Sequence, residues 1–186
     1  MSSKCKNISQ KGLNNNLKGV LCLNFKRNIT AFLIISILGT LGHFIYEISG
    51  KKMGVGLFFP VNESTWEHLK LLFYPALIYF GAEYLLNYKN NKNYISASVI
   101  SIFIGIISII VLFYTYQGVI GKNIDFINIS IYYISVIITL VSQYILFKNH
   151  KCNCDPNLFL IPIFLTIILF AIFSFNPPSL GIFTVP

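Results

Sequence analysis

The segment 58–75, FFPVNESTWEHLKLLFYP, concentrates ionisable side chains at the start of an apolar stretch. Glu63, Glu67, His68 and Lys70 fall close together in a chain of 186 residues of which only 11% are charged. A carboxylate beside an imidazole or an ammonium group can move a proton or balance a charge. We therefore take Glu67 and Lys70 as candidate catalytic residues, with a glutamate as the general base.

A second polar element, GHFIYEISG at 42–50, ends the preceding apolar stretch. His43 and Glu47 are four residues apart, so they lie on one face of a helix. Two antiparallel helices joined by a short loop would bring this pair to the same end as Glu63 and His68. Imidazole nitrogens and carboxylate oxygens are common ligands of divalent metals. The sequence therefore predicts one pocket, with His43, Glu47, Glu63 and His68 as candidate ligands of a divalent metal.

Three interpretations of this pocket stay open. The first is a metal-dependent enzyme acting on a lipid-like substrate, in which the metal activates water. The second is a transporter or channel subunit that uses the same charges as a relay. The third is a structural scaffold in which Lys70 neutralises Glu47 or Glu67. The substrate, the identity of any metal and the oligomeric state are not assigned by the sequence.

Part of the segment has an explanation that involves no function. Ser64 and Glu67 match a capping box, in which a serine caps a helix and a glutamate three residues later reaches back to it. Lys70 lies about two turns inside the apolar stretch, and a lysine near mid-membrane costs about 2.5–3.5 kcal/mol. Lys70 is therefore the residue that most needs a partner.

The elements that must position these residues are long apolar stretches. About 20 consecutive apolar residues are enough to cross a bilayer, and 55% of this chain is hydrophobic. The fold class predicted is all-α, a polytopic integral membrane protein built as a five-span helical bundle. Residues 1–27 form a basic cytoplasmic arm, part of which has helical apolar spacing suited to a membrane surface, and 28–186 form a single transmembrane domain. The predicted spans are 28–49, 64–87, 94–118, 124–147 and 158–175.

The distribution of lysine and arginine predicts the orientation. Ten of the 14 Lys and Arg lie in the arm and in the loops after the second and fourth spans, whereas three lie in the other loops. Basic loops are retained on the cytoplasmic side, so we expect the N-terminus inside, the C-terminus outside and a multi-pass protein of the plasma membrane. Membrane lipids are the expected partners. The charge falls in short clusters between apolar runs, which argues against nucleic-acid binding.

The four cysteines, Cys5, Cys22, Cys152 and Cys154, fall in segments predicted to be cytoplasmic. Thiols stay reduced in that compartment. The last two lie in HKCNCD at 150–155, which groups a histidine, two cysteines and an aspartate. This spacing matches no recognised zinc pattern, so we interpret these cysteines as free thiols.

Other polar and small residues within the spans have mainly structural interpretations. Glu83, one turn from the cytoplasmic end of its span, is expected to snorkel to the surface, and Gln143 to hydrogen-bond between helices. Ala97, Ser101 and Gly105 form a stripe of small residues that lets helix backbones approach closely. We expect this stripe to pack inside the bundle.

The tail at 173–186, FSFNPPSLGIFTVP, is apolar but interrupted by prolines. We expect it to fold back over the outer face, where Asn176 would reach the pocket. The chain has no Walker loop, HExxH or GxSxG motif. The sequence therefore excludes the enzyme classes that those motifs identify.

Three stretches carry a resemblance to a known family: PVNESTWEHLKLLFYP, GHFIYE before it and FNPPSLGIF near the end. Together they resemble a family of small uncharacterised integral membrane proteins of clostridia and related Firmicutes, with a P-x-N-E-S-x-W-E-H-L-K motif. The resemblance covers most of the chain from about residue 28. It implies a multi-span membrane fold and supplies no biochemical activity.

Overall fold

The described parts of the chain consist of helices and their connections. The computed structural model describes the backbone of 3–89, 91–149 and 156–185, and the side chains of 26–89, 91–149 and 158–185. A short 3₁₀ helix, Gly181–Phe183, follows the last α-helix. The α-helices in chain order are α1 Ser3–Ile48, α2 Met53–Gly56, α3 Thr65–Asn87, α4 Lys92–Ile120, α5 Asp125–Lys148 and α6 Pro156–Phe175.

The all-helical prediction is confirmed, and five of these helices are long and apolar enough to cross a membrane. Nine of the ten predicted ends fall within two residues of the helical limits found, and the exception is the start of the first span. The helix α1 begins at Ser3 and passes the predicted boundary at 27–28 without a break, while the placement of 1–27 as a cytoplasmic arm stays a prediction. The candidate spans are Lys26–Ile48, Thr65–Asn87, Lys92–Ile120, Asp125–Lys148 and Leu158–Phe175.

Apolar side chains cover both the inside and the outside of the bundle. Phe73 and Ala76 of α3 and Val136 of α5 are fully buried, whereas Leu41 of α1 and Phe164 of α6 are more than half exposed. A helix that is apolar all round is typical of a membrane span. The five long helices are therefore suited to lipid on their outer faces.

Small residues allow two close helix contacts. A β-carbon added at Gly105 would overlap the Thr139 hydroxyl, and one added at Gly39 would lie 2.6 Å from the Leu71 carbonyl oxygen. Glycine at these positions lets α4 approach α5 and lets α1 approach α3. The small-residue stripe predicted on α4 therefore packs within its own bundle, as expected.

We call the end of the bundle that carries 49–64, 121–124 and 176–185 the upper end, and the opposite end the lower end. The tail folds back over the upper end, as predicted. Phe183 of the 3₁₀ helix contacts Trp66 at the start of α3, with ring centroids 5.0 Å apart. Trp66 also packs edge-on against Phe170 of α6. These aromatic contacts join α3, α6 and the tail.

At the lower end, a polar cluster joins four helices. Arg27 Nε lies 3.7 Å from a Glu83 oxygen, and its guanidinium donates to Tyr88 Oη at 3.1 Å and to Gln143 Oε1 at 3.3 Å. The Tyr94 hydroxyl donates to the other Glu83 oxygen. Gln143 thus bonds between helices as predicted. The prediction that Glu83 snorkels is wrong, because two partners hold its carboxylate inside the bundle, where it is 7% exposed.

Candidate functional site

The loop that leads into α3 is fixed by side chains of its own sequence. Ser64 is the N-cap of α3, and its hydroxyl accepts the Glu67 amide at 3.4 Å. Asn62 Oδ1 accepts the Ser64 amide at 2.9 Å, so it occupies the donor that a capping-box glutamate would take. Glu67 Oε2 instead accepts the Val61 amide at 2.9 Å. The predicted capping box therefore forms only its serine half.

Glu67 and Lys70 form an ion pair inside the protein. Lys70 Nζ lies 2.7 Å from Glu67 Oε2, and the two side chains are 0% and 1% exposed. The ammonium group also donates to the Gly56 carbonyl at 2.8 Å and to Ser174 Oγ at 2.6 Å. An ammonium has three donors, and all three are used. Lys70 thus obtains the partner that its position requires, and that partner is Glu67.

The catalytic prediction for Glu67 and Lys70 stays a prediction. Every polar atom of the two side chains bonds to protein, because Glu67 Oε1 also accepts from Ser174 Oγ at 2.7 Å. Both side chains are buried. These contacts favour the structural interpretation, in which the pair ties α3 to α6 and to the loop before α3.

His43, Glu63 and His68 form a separate cluster. His43 Nε2 lies 3.7 Å from Glu63 Oε1, and His68 Nε2 lies 3.3 Å from Glu63 Oε2. The two imidazole rings stack with centroids 5.4 Å apart. One potential ligand atom from each residue lies within 4.8 Å of the others. Three of the four predicted metal ligands are therefore brought together.

The fourth predicted ligand, Glu47, is not part of this cluster. Its carboxylate lies 3.8 Å from Lys51 Nζ, and both side chains are largely exposed. His43 and Glu47 share a face of α1, as predicted, but the helix ends at Ile48. One turn beyond His43, the Glu47 side chain is exposed and pairs with Lys51 of the following loop. His43 and Glu67, expected in one site, also lie in different networks.

A hydrogen bond fixes which nitrogen of His68 faces Glu63. His68 Nδ1 lies 2.9 Å from the Ser64 carbonyl oxygen, which can only accept, so Nδ1 carries a proton. In the neutral ring Nε2 then presents a lone pair to the Glu63 carboxylate. Two acceptors at 3.3 Å repel each other unless a cation lies between or beside them. The pair therefore requires either a second proton on His68 or a bound metal.

Glu63 lies in the loop before α3 and is more exposed than the two histidines. The hydrogen bond with His68 lowers the pKa of the Glu63 carboxyl, and the nearby charges of His68 and His43 add to that effect against partial burial. Glu63 is therefore an anion at neutral pH. An anionic carboxylate and two imidazoles are a donor set that suits zinc.

The three residues line one side of a cavity of about 740 Å³ between α1, α3, α4 and α5. The lining residues furthest from the upper end make its floor, and they are Gly39, Leu71, Ile109 and Tyr132. The Tyr132 hydroxyl donates to the Ile35 carbonyl at 3.1 Å, which joins the floor to α1. The mouth is formed by loop and helix-end residues, namely Glu63, Asn123, Asp125 and Val185. Val185 of the tail reaches the cavity, whereas Asn176 is not among the lining residues.

The sequence did not single out the α4–α5 side of this cavity. Asn123, Asp125, Asn128 and Tyr132 all line it. Asn123 and Asp125 follow Gly121, whose left-handed φ of 70° ends α4. The sequence does contain a signal for this side, the polar N-x-D-x-x-N run at 123–128 between two apolar spans. The cysteines and the 150–155 motif lie outside the described side chains, so the free-thiol interpretation stays a prediction.

Comparison with known proteins gives one family. No curated protein matches the chain, and no solved structure matches it. The model described as a family of unknown function (DUF6512) matches residues 21–185, which includes the five candidate spans and every residue of the cluster and cavity. This agrees with the uncharacterised family expected from the sequence, while the motif and the bacterial group stay predictions. The chain belongs to the family of unknown function DUF6512.

Proposed function

We propose that this protein is a metal-dependent membrane enzyme with a divalent-metal site at His43, Glu63 and His68. The observation that carries the proposal is the orientation of His68. Its Nδ1 proton is held by the Ser64 carbonyl, and its Nε2 points at an anionic carboxylate. In metal sites, a ligating histidine commonly donates the proton of its other ring nitrogen to a backbone carbonyl, as His68 does here.

The three donors lie close enough together for one divalent ion to be placed among them. His43 Nε2 lies 3.7 Å from Glu63 Oε1 and His68 Nε2 lies 3.3 Å from Glu63 Oε2, so each imidazole faces a different carboxylate oxygen. One potential ligand atom from each residue lies within 4.8 Å of the others, and a tetrahedral zinc would draw such atoms to about 3.4 Å from one another. Two histidines and a glutamate are also a set used by catalytic zinc, which keeps its fourth position for water or substrate. Here that position would face the cavity.

The chain and the metal have separate tasks in this proposal. A zinc ion in a three-ligand site supplies a Lewis acid and lowers the pKa of water toward 7. The Ser64 carbonyl orients His68, and Asn62 and Glu67 hold the loop that carries Glu63. Tyr132 holds the floor of the cavity to α1 through its hydrogen bond to Ile35.

The cavity favours a lipid-like substrate. Much of its wall is apolar, including Leu71 and Ile109. Phe44 of α1 and Ile129 of α5 both line it and are 55% and 56% exposed on the outside of the bundle. The cavity thus opens sideways between α1 and α5, toward the lipid. An amphiphile in the membrane can enter there without crossing water.

The location proposed is the outer leaflet of the plasma membrane. The lysines and arginines are concentrated in segments at the lower end, so the positive-inside rule turns the upper end outward. The cavity mouth would then face the outside of the cell. The competing function is transport, which needs a path to the other side. Tyr132 bonds across the floor of the cavity to Ile35, and the Arg27–Glu83 cluster joins four helices at the lower end, and both count against such a path.

Metal analysis of the purified protein tests the proposal. The wild-type chain, purified without chelator and dialysed, is expected to retain about one zinc per chain by mass spectrometry. His43→Ala and His68→Ala should each lose it, and the matched control is a Cys152→Ser, Cys154→Ser double variant. If the cysteine variant loses the metal and the histidine variants keep it, the site is the cytoplasmic motif and the proposal fails. A wild-type chain that binds no divalent metal also rejects it.

A further inference from the structure

We infer that the cavity contains a second polar subsite, formed by Asn123, Asp125 and Asn128, that binds a hydrogen-bond-donating head group and not a phosphate. These three residues line the cavity from the α4–α5 side, whereas the histidine cluster lines it from α1 and α3. The inference deepens the proposed function, because it names the class of lipid-like substrate. It can be tested in metal-free protein, where it does not depend on the histidine cluster.

The two asparagines are held in defined orientations. Tyr116 Oη lies 2.9 Å from Asn123 Oδ1 and 2.5 Å from Asn128 Oδ1, and Asn128 Nδ2 donates to Asn123 Oδ1 at 2.7 Å. Each amide oxygen thus has a partner within hydrogen-bond distance inside the protein, with the one hydroxyl hydrogen of Tyr116 shared between them. A carboxamide has two donor hydrogens, and none of the described contacts uses Asn123 Nδ2. The amides therefore offer mainly donors to a ligand.

Asp125 provides the acceptor of the subsite. It stands in the first turn of α5 at the cavity mouth, and it is exposed. An ionised carboxylate accepts hydrogen bonds and donates none, so it selects a hydroxyl or an ammonium group. Asp125 thus requires a donor on the head group, whereas the amides can donate to an acceptor on it. A sugar-like polyol presents both, and an amine presents the donors that Asp125 accepts.

The charge of the cavity argues against a phosphate. The described lining contains two carboxylates, Glu63 and Asp125, and neither lysine nor arginine. Proteins bind phosphate through Arg and Lys, or through the free amides of a helix N-terminus. The N-terminus of α5 is at the mouth, but Asp125 places a negative charge on it. A phosphate would therefore meet repulsion at this helix N-terminus.

The position of the subsite also determines the direction in which a ligand lies in the cavity. With its head group at the mouth near Asp125, an amphiphile can extend its chain sideways between Phe44 and Ile129. His43 is next to Phe44 in α1, so the junction of head group and chain would pass close to the histidine cluster. The bond offered to the proposed metal site is then the one that joins the polar head to its chain.

Photo-crosslinking in metal-free nanodiscs tests the inference. Three probes with the same diazirine-bearing dodecyl chain carry an amine, a glucoside or a phosphate head. The amine and glucoside probes are expected to label cavity peptides about tenfold more than the phosphate probe. This ratio is the difference in affinity that one charge-assisted hydrogen bond produces. A preference between these two decides whether the ligand is an amine or a polyol.

Two variants locate the effect. Asp125→Asn should lower labelling by the preferred probe about tenfold, whereas Glu47→Gln, a change at an exposed upper-end glutamate outside the cavity lining, should leave it unchanged. Equal or stronger labelling by the phosphate probe would overturn the inference, and so would an Asp125→Asn protein that labels like the wild type. The comparison of probes on the wild-type chain stands even if a variant folds poorly. A chain that binds no metal but shows the head-group preference would reject the proposed function alone.

Discussion

Lys70 and Glu67 lie one turn apart on α3 and form a buried ion pair, with Nζ 2.7 Å from Oε2. The same Glu67 oxygen accepts the Val61 amide, two residues before Glu63 of the histidine cluster. Ser174 of α6 bonds to both members of the pair. The ion pair is therefore the point at which the loop, α3 and α6 are fixed to one another.

Lys70→Met should strongly destabilise the protein. Removing one partner of a buried pair leaves an uncompensated charge and costs about 3–5 kcal/mol. We expect a corresponding loss in the free energy of unfolding, measured in detergent micelles. Adding Glu67→Leu should recover part of the loss, but only part, because the Val61 amide then has no acceptor.

The matched control is the exposed pair Glu47–Lys51. Lys51→Met should change the free energy of unfolding by less than about 1 kcal/mol, as for other surface ion pairs. A Lys70→Met, Glu67→Leu double variant that is as unstable as the sum of its single variants would show that the two residues are not coupled.

The sequence was sufficient for the helices but not for the grouping of the charges. Hydropathy located the five spans because a bilayer requires about 20 apolar residues, and Ser64 marked the start of α3. The sequence also placed Glu47, Glu67 and Lys70 in the same pocket as the histidines. Which face each residue occupies depends on where α1 ends and how the loop before α3 bends, and neither follows from periodicity.

Gly39→Ala should test the close contact at the cavity floor. A methyl group there would overlap the Tyr132 hydroxyl and the Leu71 carbonyl, and overpacking costs about 1–3 kcal/mol. Gly118→Ala in α4 is the matched control, since no neighbouring atom lies within 4 Å of its added β-carbon. It should stabilise the helix by up to about 1 kcal/mol. Equal unfolding temperatures for the two variants would contradict the packing at the floor.

Tyr94→Phe should destabilise the lower end. The Tyr94 hydroxyl donates to the buried Glu83 carboxylate, and a hydrogen bond to a charged group contributes about 1.5–3 kcal/mol. Tyr114→Phe is the control, because Tyr114 is 38% exposed. Thermal unfolding of both variants provides the comparison. A Tyr94→Phe protein as stable as the control would mean that Glu83 is satisfied by Arg27 alone.

The lower-end cluster and the polar subsite show what else the sequence left unpredicted. Glu83 was assigned to the surface because it is near the end of its span, yet Tyr94 of the next helix and Arg27 of α1 hold its carboxylate inside the bundle. Asn123 and Asp125 resemble ordinary loop residues until Tyr116 and the cavity are placed beside them. Both cases need tertiary contacts, which one sequence does not supply.

Cysteine labelling tests the orientation. A membrane-impermeant maleimide applied to intact cells should miss the four native cysteines and label Lys122→Cys, which lies in the loop between α4 and α5. The reason is the concentration of lysine and arginine in the segments that carry the native cysteines. Labelling of the native cysteines from outside would reverse the orientation, and the cavity mouth would then face the cytoplasm.

Zinc binding at the histidine cluster should weaken steeply as the pH falls. A histidine must be neutral to bind a metal, so protons compete with zinc for both imidazoles. With two histidine ligands, the dissociation constant should rise by up to about a hundredfold per pH unit over the range in which both are protonated in the metal-free protein. Titration calorimetry at pH 7.5, 6.5 and 5.5 measures this dependence.

Glu63 should remain a ligand throughout this range, because the hydrogen bond with His68 lowers the pKa of its carboxyl. A lowered pKa contributes stability above the unfolded-state value, and this contribution is lost only as the pH falls through the folded-state value. Protonation of Glu63 therefore adds nothing between pH 7.5 and 5.5. Glu63→Gln should weaken zinc binding by about tenfold or more at pH 7.5, because the loss of a residue that only supports a ligand already costs that much. The dissociation constant of the variant should change with pH as steeply as that of the wild type. A slope that disappears in Glu63→Gln would assign the titration to the carboxylate, and the histidines would then not be the ligands.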